Sequence, residues 1–392
     1  MTLAKRLTDV TAADLEALVE SQAAESKYLD FKLHVVGQTD SERREFLADV
    51  SSFANALGGQ IVFGIGETDG KASELQGLEI NDPEREILRL EAIARTGISP
   101  RIPGLALHAV ALSPTRHSII VRVPRSWLAP HMVNHGGITR FFTRTSAGKH
   151  QMDIEEIRQA FVASDALIER LRAFRFDRLS RLSSSDDPML LQEAPLVVIH
   201  VLPINSFQSA TQLDMKSLVK EWHRVPMLYG GVSDYRLTFD GLLVRLVLAD
   251  GTTGAYTLLF RNGAIETVNS HLLEPQSGLR IPALAFEQQV IEATSGILSF
   301  LNSVAIEPPF YVFLSLLRVR GYAMFPGSTA VFMAPRAHLR EIDREDLILP
   351  EVILDAFDED VPTALRPAFD VIWNASGWPG SPYYDEDGNR KP

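Results

Sequence analysis

On a β-strand, residues two apart point to the same face, and Asp30 and Lys32 stand in that relation within Glu25-Ser-Lys-Tyr-Leu-Asp-Phe-Lys. Leu29, Phe31 and Leu33 then point to the other face. Such a pair suits phosphate chemistry, because a carboxylate holds a divalent cation while an ammonium group balances charge on a scissile phosphate or orients water. Glu25 lies at the entrance of the same strand, within reach of the same cation. A further carboxylate, Glu67, follows Phe-Ala-Asn-Ala-Leu-Gly-Gly-Gln-Ile-Val-Phe-Gly-Ile-Gly (53–66), which reads as a helix end, a double glycine and a short apolar strand. Hard cations such as Mg²⁺ or Mn²⁺ take several oxygen ligands, so carboxylates converging from different elements make a credible metal site. Asp-x-Lys by itself reads first as an exposed ion pair at a strand end; the Glu67 segment is what shifts the balance. Gly64 and Gly66 form no phosphate loop, since no Gly-Lys-Ser/Thr follows, and no dinucleotide fingerprint, since they flank a strand instead of opening a helix. Their expected use is to let another backbone or a phosphate approach closely.

Charge marks a second candidate surface. The 392 residues carry a net charge of −12, which argues against wholesale coating of nucleic acid. Residues 101–152 nevertheless hold Arg101, Arg116, Arg122, Arg125, Arg140, Arg144 and Lys149 and no Asp or Glu. A basic zone inside an acidic protein is the footprint expected for a polyanion, with an ordinary solvated face as the competing reading. Arg140, Arg144 and Lys149 form a strand-turn suited to clamping phosphate. Trp127, Phe141 and Phe142 are candidates for base stacking, although adjacent phenylalanines on one strand face opposite ways. Arg172, Arg175, Arg178 and Arg181 recur every third residue, which on a helix makes a slowly turning cationic stripe. His131 and His135 match no zinc spacing. The absence of cysteine excludes disulfides, thiol catalysis and a cysteine-type zinc site, and fits a cytoplasmic address. No apolar run reaches membrane-spanning length, and the first residues lack a signal-peptide block, so no membrane partner is expected.

The elements that must carry these residues form an α+β pattern. A capping box at Thr11–Asp14 opens a helix, 28–36 reads as a strand, and a helix with Phe46, Val50, Phe53 and Leu57 inward stops at Gly58-Gly59. Strands are expected at 60–65, 105–113, 117–123 and 138–144, with a helix opened by Asp82-Pro83. Another helix, opened by Asp153 and Glu156, runs towards Leu182. The polar run 183–188 marks a boundary. Beyond it, strands at 196–202, 241–248, 255–260, 264–268 and 311–319, with helices at 282–304 and 362–373, make a second α+β unit. His200 reads as a satisfied core histidine and the tail 381–392 as frayed. Three segments result: a core at 1–165, a basic helix and linker at 166–194, and a C-terminal α+β domain at 195–392 whose role the residues do not disclose.

The order of ESKYLDFK, SSFANALGGQIVFGIGE, Ile98-Ser99-Pro100, VRVPRSWLAPH and RFFTRTSAGKHQM, spread over roughly residues 20–162, resembles the Schlafen core, the Alba-like nucleic-acid-binding domain. The resemblance implies a mixed sheet with flanking helices. Animal Schlafen proteins include endoribonucleases that cut tRNA and rRNA with acidic residues and a divalent metal. Carried over, those acids fall on Glu25, Asp30 and Glu67, with Lys32 as the accompanying base, and Mg²⁺ or Mn²⁺ as the cofactor. The usual motif has Glu where this chain has Asp30, and animal ribonucleases tend to have Asp at the position of Glu67. Arg122, Arg125, Arg140, Arg144, Lys149, Arg172 and Arg175 are the candidate nucleic-acid contacts. The leading expectation is thus a metal-dependent endoribonuclease acting on structured RNA such as tRNA. The alternative is a non-catalytic DNA- or RNA-binding regulator, with ATP binding a third reading that lacks a phosphate loop. A homodimer is expected, with the apolar stripe of the 282–304 helix as one possible interface.

Overall fold

The computed structural model describes residues 5, 7–184, 191, 194–207, 212–273, 279–326, 340–385 and 387–391. It divides into two compact units, Met1–Ile168 and Glu169–Pro392. Much of the polar boundary expected at 183–188 lies outside the described residues.

The first unit contains helix α1 (Ala12–Glu20), strand β1 (Leu29–Lys32), α2 (Asp40–Ala54), β2 (Gly59–Phe63), β3 (Ile65–Thr68), β4 (Lys71–Leu75), β5 (Leu78–Glu79) and α3 (Pro83–Gly97). There follow β6 (Ile98–Ser99), β7 (Ala106–Ala111), β8 (Arg116–Val123), β9 (Met132–His135), β10 (Ile138–Thr145), β11 (Gly148–Gln151) and α4 (Ile154–Ser183), which continues into the second unit. One sheet runs β1-β2-β8-β5, with β7 also on β8; β1 and β2 are parallel, with Asp30 beside Ile61 and Lys32 beside Phe63. A second sheet, β11-β10-β9-β6, is antiparallel throughout, and β3 and β4 pair as a separate ribbon.

Local sequence explains the central helix. Thr39 caps α2: its hydroxyl accepts from Glu42 N at 3.3 Å, and the Glu42 carboxylate accepts from Thr39 N at 3.1 Å. Residues 46–54 are buried all round, because α2 packs against strands of both sheets and against α3. Gly58 (φ +73°) ends the turn after α2, and a Cβ on Gly59 would come within 2.3 Å of the Phe53 ring. The strand expected at 28–36 is shorter, ending at Lys32, and the one expected at 60–65 divides at Gly64. There φ is +93°, Gly64 N donates to Lys32 O at 2.7 Å, and a Cβ would lie 3.0 Å from Gly77 Cα. Gly64 serves this backbone crossing.

The second unit is built on an eight-stranded sheet. Its elements are β12 (Leu196–Pro203), α5 (Met215–Lys220), β13 (Asp234–Leu237), β14 (Gly241–Val247), β15 (Thr253–Phe260), β16 (Ile265–Asn269), β17 (Arg280–Pro282) and α6 (Ala283–Ser303). Next come β18 (Phe310–Leu317), β19 (Ala323–Phe325), β20 (Leu347–Ile348), β21 (Val352–Leu354) and α7 (Val361–Ala375). The sheet order is β13-β14-β15-β16-β12-β18-β20, with β21 also on β18. Alternation along β12 sends Val197, Ile199 and Val201 into the core that contains α6, whereas His200 meets Glu266 and Phe174 of α4.

Three expectations are corrected here. The arginines of α4 form no open cationic stripe: Arg175 is 3% exposed and donates to Ser315 Oγ at 3.1 Å, Leu349 O at 2.8 Å and Leu314 O at 2.6 Å. Arg178 forks onto Glu266, Nε to Oε2 at 2.9 Å and NH2 to Oε1 at 2.7 Å. A three-residue repeat drifts around a helix, so a face apparently set for a polyanion meets a buried carboxylate on a neighbouring strand. Second, most of the apolar stripe of α6 is consumed at home: of Leu284, Phe286, Ile291, Ile297, Leu298 and Leu301, all but the exposed Leu284 are buried in their own unit's core. Third, the tail is docked. Glu287 accepts from Trp373 Nε1 at 2.8 Å, Ser381 Oγ at 2.8 Å and Arg390 NH1 at 2.9 Å, and Tyr384 donates to Pro362 O at 2.8 Å. No helix among the described residues is long and apolar enough to cross a membrane.

Candidate nucleic-acid interface

The first unit gathers charged side chains from four elements. Asp30, 2% exposed on β1, accepts from Lys32 Nζ at 2.9 Å through Oδ1 and from Arg144 NH2 of β10 at 2.8 Å through Oδ2. Asp49, 3% exposed on α2, pairs with Lys149 of β11 at 2.8 Å and lies 3.9 Å from Lys32 Nζ. Lys149 also reaches the exposed Glu45 carboxylate at 2.5 Å. Glu25 accepts from Phe31 N at 2.9 Å and hydrogen-bonds to Asp30. Arg144 lies over the Phe53 ring, 4.2 Å from its centroid, and its Nε and NH1 are buried without a partner.

Burial and neighbouring charge set these groups apart. Burial pushes Glu25 up to about 7, helped by its hydrogen bond to Asp30 and by the charges of Asp30 and Glu67, against the Phe31 N–H. Burial also works to raise Asp30, but the hydrogen bond with Glu25 and the charges of Lys32 and Arg144 hold it below the ordinary carboxylate value. Asp49 is raised by burial, which Lys149 and Lys32 only partly offset. For Lys32, burial is overcome by Asp49 and Asp30, and its value rises.

The structure brings together some of the residues singled out in the sequence and separates the rest. Glu25, Asp30, Lys32, Arg144 and Lys149 come together. Glu67 is exposed on β3; its charge reaches Glu25, but the ion pairs of the cluster do not include it. Arg125 and Arg140 are exposed, and Arg122 donates to Lys5 O at 2.7 Å. Arg172 and Arg175 belong to the second unit, where Arg172 pairs with Glu169 and Glu351. His131 is fully buried, donates through Nδ1 to Pro100 O at 2.7 Å, and is pushed down to about 4 by burial. Trp127 is buried, and Phe142 packs on the core.

Two residues of this region were not singled out by sequence reasoning. Asp49 looks like one more polar position of a capped helix. Asn55, just past α2, donates through Nδ2 to His131 O at 2.9 Å and Phe142 O at 2.8 Å, and its Oδ1 accepts from His131 N at 2.6 Å. It thereby ties α2 to the chain around β9 and β10, the strand that carries Arg144. Asn55→Ala is expected to cost about 1–3 kcal/mol, because it leaves buried backbone groups unpaired. Urea unfolding checks this; a midpoint shift worth under about 0.5 kcal/mol would show the clamp is dispensable.

A divalent metal meets a specific obstacle in this arrangement. Each Asp30 oxygen is held by a cation, so Mg²⁺ or Mn²⁺ could reach it only by displacing Lys32 or Arg144. Among the described residues, no group of three or more His, Asp or Glu side chains is placed to hold a metal ion. The donors as they stand fit an ion-pair cluster better than a metal site.

Residues 25–153 match the family described as Schlafen, AlbA_2. The match supports a Schlafen/AlbA-like core domain in that segment, a family whose members point to a nucleic-acid-related role for it. No curated protein matches the chain. Among solved structures it is similar to the DIP2311 protein from Corynebacterium diphtheriae, at 16% identity and a TM-score of 0.28. That alignment covers 54% of this chain and spans 33% of the other.

Proposed function

We propose that the first unit binds the phosphate backbone of structured RNA such as tRNA, with Lys32, Arg144 and Lys149 at the centre of the contact. The observation that supports this best is the convergence of those cations, from β1, β10 and β11, on the buried Asp30 and Asp49. Arg140 stands four residues before Arg144 on β10, hence on the same strand face, and extends the cationic strip with an exposed side chain. RNA is favoured over DNA by the resemblance to ribonucleases. Labelled tRNA is expected to bind with log K falling linearly in log salt, since phosphate contacts release condensed counterions. Arg140→Gln with Lys149→Gln should weaken binding across sequences and reduce the salt slope by about two contacts. Salt-independent binding, or none, would overturn the reading.

A second reading is cleavage of that RNA by a divalent-metal site on Glu25, Asp30 and Glu67. The charge of Glu67 felt at Glu25 favours it, and the cations on Asp30 oppose it.

The chain is also expected to pair as a homodimer through the sheet edge β13. Tyr235, Leu237 and Phe239 are exposed there, Phe239 by 94%. Light scattering should give twice 43.5 kDa, and Leu237→Asp with Phe239→Asp should give monomer. A monomeric wild type would exclude the dimer.

A further inference from the structure

We infer that Asp49 is a positioning residue of the nucleic-acid interface, a buried carboxylate that fixes the ammonium groups of Lys32 and Lys149 as a pair able to bind one backbone phosphate. The inference rests on the RNA-binding reading above and deepens it.

Asp49 belongs to α2, Lys32 to β1 and Lys149 to β11, so a single carboxylate ties together one helix and a strand from each sheet. Its two oxygens divide the work: Oδ1 takes Lys149 Nζ at 2.8 Å, and Oδ2 faces Lys32 Nζ at 3.9 Å. The lysines are only partly covered, with side chains 20% and 35% exposed, whereas that of Asp49 is 4% exposed. Both lysine side chains are therefore anchored from inside and keep part of their surface towards solvent. Each ammonium has three donors: Lys32 commits one to Asp30 Oδ1 at 2.9 Å, and Lys149 places those not on Asp49 on Glu45, which must yield them to a ligand.

The other carboxylate on Lys149 behaves differently. Glu45 is 64% exposed, and its side chain can swing into water when a phosphate arrives. Asp49 has no such freedom and stays as the fixed counter-charge. Lysine is a flexible point charge, and holding two of them in place before the ligand comes reduces the ordering that binding would otherwise require. Asp30 plays the matching part for Arg144 and for the other side of Lys32.

The sign of one measurement decides the matter. Asp49→Asn removes a negative charge from a surface meant for a polyanion, so charge alone would tighten binding. Loss of positioning does the opposite. With labelled tRNA and the full chain, Asp49→Asn is expected to weaken binding about tenfold and to flatten the salt slope by about one contact. Asp49→Glu should recover part of the affinity. In a Lys32→Gln, Lys149→Gln background, Asp49→Asn should change affinity by less than twofold. Unchanged or tighter binding in Asp49→Asn would overturn the inference, and so would an undiminished effect in the lysine-free background. Asp49→Ser serves if the amide does not pack, judged by near-ultraviolet circular dichroism; if neither variant folds, the carboxylate is a folding element and the inference fails. Failure of wild-type chain to bind tRNA would instead sink the RNA-binding reading itself.

Discussion

Glu266→Ala is expected to destabilise the second unit by about 3–5 kcal/mol, the cost of stranding a charge whose buried partner is gone. Glu266 has no exposed surface and accepts from Arg178 at 2.9 and 2.7 Å, from the His200 ring at 2.9 Å and from Tyr256 OH at 2.7 Å. Without it the Arg178 guanidinium loses the one carboxylate it is hydrogen-bonded to and keeps only the more distant charge of Asp240. For a unit of this size the loss corresponds to a melting temperature lower by roughly 6–20 °C. Replacing both partners, Arg178→Met with Glu266→Met, should recover much of it, because an apolar pair needs no desolvation of charge. The pH dependence has a definite sign. Burial works to raise Glu266, but the hydrogen bonds from Arg178 and His200 win and hold it well below its ordinary 4.5. A depressed carboxylate contributes stability that is fully present above about 4.5 and is lost only as pH falls through the lower folded value. Denaturant unfolding followed by tryptophan fluorescence at neutral pH measures the effect. A loss under about 1 kcal/mol would mean that water or a rearranged side chain satisfies Arg178.

The same cluster shows where sequence reading reaches its limit. Periodicity located α4 through to its end near Leu182, because a capping box and a sustained helical pattern are local properties. What α4 faces is not local. Glu266 lies 88 residues beyond Arg178, inside a strand that reads as apolar and β-branched, so the pairing of a charged helix with a charged strand position left no periodic trace. Asp30 and Lys32 were legible for the opposite reason: a two-residue spacing on a strand fixes a shared face, and the ion pair at 2.9 Å realises it. Arg144 was picked out by charge alone, but its union with Asp30 across 114 residues required the fold. Asp49 was passed over because, within Leu-Ala-Asp-Val-Ser-Ser-Phe, a single acid on a helix reads as a solvated position. It is buried because two lysines from different strands converge on it. The tail reads as polar and frayed for a similar reason, since its anchor, Glu287, lies on α6, which reads as an apolar stripe.

Asp30→Ala is expected to reduce any Mn²⁺-dependent cutting of tRNA by at least about a hundredfold, and to weaken tRNA affinity as well. Both effects follow from what the carboxylate touches. It is the most enclosed acid of the cluster, and it holds both Lys32 and Arg144. If Asp30 served only to orient those cations, its removal would alter binding and there would be no cutting to lose. If the second reading holds, Glu25, Asp30 and Glu67 would hold the metal, which would supply water activation and charge neutralisation, and losing Asp30 would remove a ligand for both. Discrete fragments from total tRNA, dependent on Mn²⁺, suppressed by EDTA and absent in Asp30→Ala and Glu67→Ala, would establish the second reading. Fragments that survive EDTA or the loss of both acids would place the chemistry elsewhere. Asp30→Glu then refines the point. It restores the longer acid usual in the family motif, whose extra methylene carries the carboxylate further from the β1 backbone. Faster cutting in Asp30→Glu than in wild type would mean that the shorter side chain had drawn the carboxylate back onto Lys32 and Arg144, the arrangement in which this chain binds rather than cuts.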